Sequence, residues 1–319
     1  MMGQVAVIIA ARNASSTIAR AVRSALAERE VAEVIVVDDA STDDTAATAQ
    51  TADDDSGRLV ILPQQENIGP AGARNLAIRR SRAPIIALLD ADDFFLPGRI
   101  GSLLEIEGWD VVADNILFVP ENGSLLAPRV AEPAAGPPLQ ITLAGFIEGN
   151  VSRSGRPRCE LGFLKPLIRR KWLIERGIHY DETLRLGEDY ALYARLLERG
   201  ARFLITKACG YVATVRPNSL AAKHNIADLE ALQDFDRNLL SSMNLNPSER
   251  RALDRHRRQL EVKVHHRRVL ERRRIGMGQA LAAAIARPSL LPRLTLAVIG
   301  DKLRAARRPK DAEVRHLFA

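Results

Sequence analysis

The sequence predicts an α/β protein with a mostly parallel, Rossmann-like central sheet, followed by a basic helical C-terminal extension. Three observations carry this. Short β-branched apolar runs alternate with amphipathic segments through the first half, the pattern of βαβ units. Two of those runs end in aspartate clusters, Asp38-Asp39 and Asp90-Ala91-Asp92-Asp93. Charge is also segregated: Pro247 to Ala319 holds 19 Lys/Arg against 7 Asp/Glu, a net +12, which leaves −5 of the overall +7 for the preceding chain.

The elements follow in order. Val5 to Ala10 is a buried strand, and Met1 to Ala11 lacks a basic leader region, so the N-terminus reads as strand and not as signal peptide. Ser15 and Ser16 are candidate N-caps for a helix whose Ile18, Val22, Ala25 and Leu26 recur at helical spacing. Val34 to Val37 is the second strand, and Ser41 to Thr45 caps a short helix after it. Leu59 to Leu62 is a third strand. A helix over Ala71 to Arg80, entered through Gly69-Pro70, leads to a fourth at Ile85 to Leu89. The Pro/Gly/Ala-rich stretch Pro120 to Pro138 is a surface loop or a break. Leu143 to Tyr211 mixes helix and short strands, including Gly162 to Pro166, the amphipathic Arg185 to Arg199, and Phe203 to Ile205. From about Asp228 the pattern is helical, and Arg250 to Arg274 is dense in arginine with His256, His265 and His266.

Composition narrows the function. A chain of 319 residues with 46% hydrophobic content buries a full core, while 4% aromatic content argues against a lectin that stacks sugars on rings. Cys159 and Cys209 form no CxxC or disulfide framework and read as reduced cytoplasmic thiols. The longest uncharged stretch of the C-terminal region, Ile275 to Ala286, falls short of the roughly 20 residues a spanning helix needs. That segment is expected to lie on a membrane, not to cross it.

Open α/β sheets bind ligands beyond the C-terminal ends of their strands, where both aspartate clusters fall. Asp90-x-Asp92 offers hard oxygens suited to Mg²⁺ or Mn²⁺ beside a diphosphate; the competing reading is an acidic turn capping the helix after Pro97. Asp38-Asp39 can accept hydrogen bonds from a base or ribose, or else cap a helix through the Ser41 to Thr45 turn. Glu188-Asp189, after Gly187, opens a helix whose backbone amides keep a carboxylate ionised. There a base can take the proton of an attacking hydroxyl, and simple helix capping is again the alternative. Arg74, Lys165 and Arg216 can neutralise phosphate charge or serve as surface cations or internal ion-pair partners. No GxGxxG follows the first strand, no GxxxxGK[ST] occurs, and no GxSxG elbow is present, which argues against dinucleotide oxidoreductases, phosphate-loop ATPases and serine hydrolases.

The ordered set VIIAARNASSTIARAVRSAL, VIVVDDASTDDT, ENIGPAGARN, LLDADDFFLPGRI and GEDYALYARLL resembles the family 2 glycosyltransferases over Val5 to Ser219. The resemblance implies an inverting enzyme with the GT-A type nucleotide-diphospho-sugar transferase fold. On it, residues 1–225 form the catalytic domain, with a nucleotide-sugar half at 1–110 and an acceptor half at 111–225, and residues 226–319 form the basic extension. Asp39 would meet uracil or its equivalent, Asp90 would lie by the ribose and diphosphate, Asp92 would ligate the metal, and Asp189 would be the general base. Two departures stand out. Arg12 occupies a place where many members carry an aromatic residue, and Arg216-Pro217-Asn218-Ser219 matches only part of the His/Arg-rich element that closes over the diphosphate.

Within the family, DADDFF, VADNI, GFLKP, DETLRLGEDY and CGYVATVR resemble the glucosyltransferases of succinoglycan-type bacterial exopolysaccharide synthesis. This implies UDP-glucose as donor, a lipid-diphosphate-linked oligosaccharide as acceptor and a β linkage. The expected location is the cytoplasm, peripheral on the inner face of the plasma membrane. The basic helices are then an anchor to anionic lipid; a helical pair packed on the catalytic domain or a dimerisation arm are the alternatives. No nucleic acid partner is expected, because the basic tail lacks interleaved aromatics. A nucleotidyltransferase of similar fold and a nucleic-acid-binding protein are the rival functions.

Overall fold

The computed structural model describes residues 4–121, 136–152, 159–215, 225–287, 290 and 315–317. Strand β1 (Val5–Ala11) is a run of small and β-branched residues with almost no exposed surface, as a strand covered on both faces must be. It pairs in parallel with β2 (Val31–Asp38) on one side and β4 (Ile85–Leu88) on the other, and β3 (Leu59–Pro63) extends the sheet beyond β2. Helices α1 (Ile18–Leu26), α2 (Thr45–Gln50) and α3 (Gly69–Arg80) make the connections. Neither Ser15 nor Ser16 caps α1: its N-cap position is Thr17, with no side-chain cap bond. The serine and threonine amides are used to tie loops together instead, as described below.

The second half adds β5 (Phe94–Phe95), α4 (Arg99–Leu104), β6 (Val111–Pro120), β7 (Leu139–Ile141), α5 (Leu143–Gly149), β8 (Leu167–Arg169), α6 (Arg170–Ile174), α7 (Glu188–Glu198) and β9 (Phe203–Val215). The strand order is β3-β2-β1-β4-β8-β6-β9-β5, with β7 also pairing β9. Strands β6 and β9 are parallel, while β8 runs antiparallel to both β4 and β6 and so joins the two halves of the sheet. Gly162 to Pro166 is not a strand: Leu161–Phe163 forms a 3₁₀ turn that delivers the chain into β8.

The C-terminal helices are α8 (Ile226–Leu240), α9 (Pro247–Ile275) and α10 (Met277–Ile285). Capping boxes start the first two, Asn225 with Asp228 and Asn246 with Glu249. One face of each packs on the sheet-bearing body: Leu229, Leu232, Phe235, Leu253, Leu260 and Val264 join the main core beneath α5 and α7. A buried polar link crosses that interface, where Tyr190 donates to Asp236 at 3.1 Å and Asp236 pairs with His256 at 2.7 Å. Among the described residues no helix is long and apolar enough to cross a membrane. The chain then returns to the sheet, where β10 (Arg315–His316) pairs antiparallel with β6.

Candidate active site

Strands β2, β1 and β4 end side by side, so the segments that follow them form one rim of a crevice. The loops after β1 and β2 are stitched together. Asn13 N–H donates to Ser41 Oγ at 2.9 Å, Ala14 N–H to Thr45 Oγ1 at 2.8 Å, and Thr42 N–H to Asn13 Oδ1 at 2.8 Å. Asp39, buried at the end of β2, accepts from Asn67 Nδ2 and from the amides of Ile68 and Gly69 at 2.6, 2.6 and 3.0 Å. The capping alternative is thus realised, but on α3 and not on the helix next in sequence, and Asp39 fixes the entry of α3 against the end of β2.

The aspartates after β4 do not cap α4. The amides of Gly98 and Ile100 are accepted by Glu28, at 2.7 and 2.8 Å, from the turn after α1. Asp90 instead faces two cations: Arg74 Nη2 from α3 at 2.8 Å and Lys165 Nζ at 2.9 Å. Burial alone would raise the Asp90 carboxyl; Lys165 and Arg74 outweigh it and hold the group well below the usual carboxylate range. Asp93 is turned inward, accepting from Tyr211 Oη at 2.7 Å and from the Thr214 amide at 2.8 Å. Burial, and then the neighbouring Asp90 and Asp92, push its carboxyl up to about 8. Asp92 stays partly exposed at the rim, and its carbonyl accepts from Arg20.

Asp189 lies at the start of α7, which is entered through Gly187 at φ 73, where the side chain of Leu232 leaves little room for a Cβ. Its carboxylate does not cap the helix. One oxygen accepts from Lys165 Nζ at 2.7 Å, and the other from Tyr180 Oη at 3.0 Å. Arg74 reaches Glu188 at 3.1 Å and Asp189 at 3.7 Å. Two buried cations therefore hold the carboxylates of β4 and α7 together. Burial lowers the Lys165 ammonium, but Asp189 and Asp90 outweigh that and leave it above the ordinary lysine range.

Supporting contacts explain why these side chains are so placed. Asn75 makes a two-way bond with the backbone of Tyr180, at 2.9 and 3.0 Å, which aims the phenol at Asp189. Arg99, almost fully buried, pairs with Asp114 at 2.7 Å and donates to the carbonyl of Lys165 at 2.6 Å. Gly210 N–H donates to Asp114 at 2.7 Å, and a Cβ there would lie 2.6 Å from Arg99 Cγ.

Residues 6–140 match the model of glycosyl transferase family 2. The chain is 49% identical over 299 residues to the succinoglycan biosynthesis protein ExoU of Rhizobium meliloti, covering 93% of this chain and 87% of that one. The chain belongs to glycosyl transferase family 2. Another relative of this family 2 chain, ExoO of the same organism, a succinoglycan biosynthesis protein, is 34% identical across 94% of this chain and 86% of its own. WfaP of Escherichia coli, named as a UDP-Glc:alpha-D-GlcNAc-diphosphoundecaprenol beta-1,3-glucosyltransferase, is 26% identical over 69% of this chain and 81% of its own. Among solved structures, S. aureus TarS 1-349 in complex with UDP-GlcNAc superposes with a TM-score of 0.61 at 18% identity, covering 88% of this chain and 79% of that one. The fold of this family 2 enzyme is accordingly the GT-A type, a glycosyltransferase fold.

The structure thus brings together Arg74, Asp90 and Asp189 and sets Asp39 and Asp92 on the same rim; Arg216 lies outside the described residues. Sequence reasoning passed over Tyr180 and the Arg99–Asp114 pair. The available signals were Asn75 in GARN, Asp114 in VADNI and a lysine inside the otherwise apolar run Leu161 to Ile168. Among the described residues no group of three or more His, Cys, Asp or Glu forms a metal cage. Asp92 fits a hard cation that takes one protein carboxylate and completes its shell from phosphate oxygens and water.

Proposed function

We propose that this chain transfers glucose from UDP-glucose, with inversion, to a hydroxyl of a lipid-diphosphate-linked oligosaccharide during assembly of a succinoglycan-type exopolysaccharide. The observation that carries the reading is the pairing across the crevice of Asp90, at the donor side, with Asp189, at the start of α7, through Lys165 and Arg74. The likeness to ExoU, and the donor and acceptor in WfaP's name, support the substrate class.

In this mechanism Asp39 and the stitched loops after β1 and β2 hold the nucleoside, and Asp90 orients the ribose and diphosphate. Asp92 would hold Mg²⁺ or Mn²⁺, which would neutralise charge on the departing diphosphate. Asp189 receives the proton of the attacking hydroxyl, exchanging its Tyr180 partner for the acceptor. A single displacement of this kind inverts the anomeric centre. Arg74 sits beneath Asp90 as its ion-pair partner and keeps the donor-side carboxylate fixed.

The test is a screen of nucleotide sugars by nucleotide release, with membrane extract as acceptor source. UDP-glucose should be consumed only with Mn²⁺ or Mg²⁺, and Asp189→Asn should bind UDP yet lose about 10²- to 10⁴-fold in transfer. Release of pyrophosphate from a nucleoside triphosphate instead would assign the chain to nucleotidyl transfer.

A further inference from the structure

Lys165 is an unusual residue to find buried, and the transfer chemistry above uses it only as the link between Asp90 and Asp189. It follows the 3₁₀ turn Leu161–Phe163, and its side chain is 7% exposed. Its ammonium touches Asp90 at 2.9 Å and Asp189 at 2.7 Å. An ammonium has three N–H donors and no acceptor. Two are committed to these carboxylates, and among the described residues no other acceptor takes the third.

The position matters because of what must lie above it. In a single displacement the anomeric carbon sits between the leaving phosphate oxygen and the attacking hydroxyl. Asp90 marks the first end and Asp189 the second. Lys165 bridges them, so it lies under the sugar ring and not under the nucleotide. Its backbone is held by Arg99, whose guanidinium donates to the Lys165 carbonyl at 2.6 Å, itself clamped by buried Asp114. A donor so fixed is preorganised for one acceptor position.

We infer that Lys165 forms the floor of the donor-sugar subsite and gives its third hydrogen bond to one ring hydroxyl of the transferred hexose, making it a sugar-specificity residue. This rests on the proposed transfer from UDP-glucose. A charge-assisted bond to a substrate hydroxyl, lost in an analogue without that hydroxyl, changes kcat/KM by about tenfold or more.

The experiment compares UDP-glucose with its 2-, 3- and 4-deoxy analogues in the native enzyme and in Lys165→Met, with UDP binding by calorimetry as the control for folding. In the native enzyme one analogue should lose about tenfold or more relative to UDP-glucose. In Lys165→Met that one penalty should vanish while the other two persist. If Lys165→Met does not fold, Lys165→Arg, which keeps the charge but moves the donors, should alter the same single penalty. Penalties identical in native and variant enzymes for all three analogues would overturn the inference and leave the transferase reading intact. A native enzyme that does not turn over UDP-glucose would overturn the donor assignment and this inference with it.

Discussion

Arg99 Nη2 donates to the carbonyl of Lys165 over 2.6 Å while its guanidinium is paired with Asp114, so a buried ion pair fixes the backbone of a residue in the crevice. Among the described residues one Arg99 nitrogen, Nη1, has no hydrogen-bond partner, so Asp114 is the main compensation for this charge. Asp114→Ala leaves the guanidinium buried and uncompensated and should destabilise the fold by about 3–5 kcal/mol. Gly210→Ala, which drives a Cβ into Arg99, should cost about 1–3 kcal/mol. Urea denaturation of both variants checks these; a loss under about 0.5 kcal/mol for Asp114→Ala would contradict the clamp.

Ala40, in the loop after β2, has a left-handed backbone at φ 54. That conformation costs an L-residue about 1–2 kcal/mol, partly offset by the lower unfolded-state freedom of alanine compared with glycine. Ala40→Gly should therefore stabilise the protein by about 0.5–1 kcal/mol, read as a higher denaturation midpoint with unchanged slope.

The two cysteines should differ sharply in reactivity. Burial, with Asp114 nearby, pushes the Cys209 thiol up to about 12, whereas Cys159 is only partly buried. At about pH 8 the Cys209 thiolate fraction is on the order of 10⁻⁴. Native-state alkylation followed by mass spectrometry should label Cys159 first and Cys209 only on unfolding. Raising the pH toward 12 should narrow the gap.

Membrane attachment, part of the location expected from the sequence, has a specific candidate surface. Met277, Leu281 and Ile285 stand along one ridge of α10 with 71%, 62% and 55% of their surface exposed, directly after Arg272, Arg273 and Arg274. Apolar side chains at the interface and about 1 kcal/mol per arginine near an anionic surface suit peripheral binding. Met277→Ser with Leu281→Ser and Ile285→Ser should weaken co-sedimentation with phosphatidylglycerol vesicles and leave binding to neutral vesicles near zero. Equal sedimentation of native and variant chains would count against this surface.

The N-terminal part of the sheet was the more legible. Strands β1 and β4 are uninterrupted apolar runs, β2 holds another at Val34 to Val37, and the aspartates that follow β2 and β4 announce a crevice without help from distant residues. The connecting contacts were not legible because they join residues far apart in sequence. Glu28 caps a helix 72 residues on, Lys165 meets Asp189 across 24 residues, and Asn75 holds Tyr180 across 105. Strand β8, with only three residues, has too little pattern to announce itself; its place is set by β4 and β6 on either side. Local signals likewise named Ser15 and Ser16 as caps, whereas the Ser15 amide goes to Asp43 across the loop.

The measurement that bears most directly on the central claim is the configuration of the new linkage, read from the anomeric proton coupling of the product made from UDP-α-glucose. Direct displacement with Asp189 as base requires a β-linked glucosyl product. An α-linked product, with the donor configuration retained, would contradict the mechanism and the role given to Asp189.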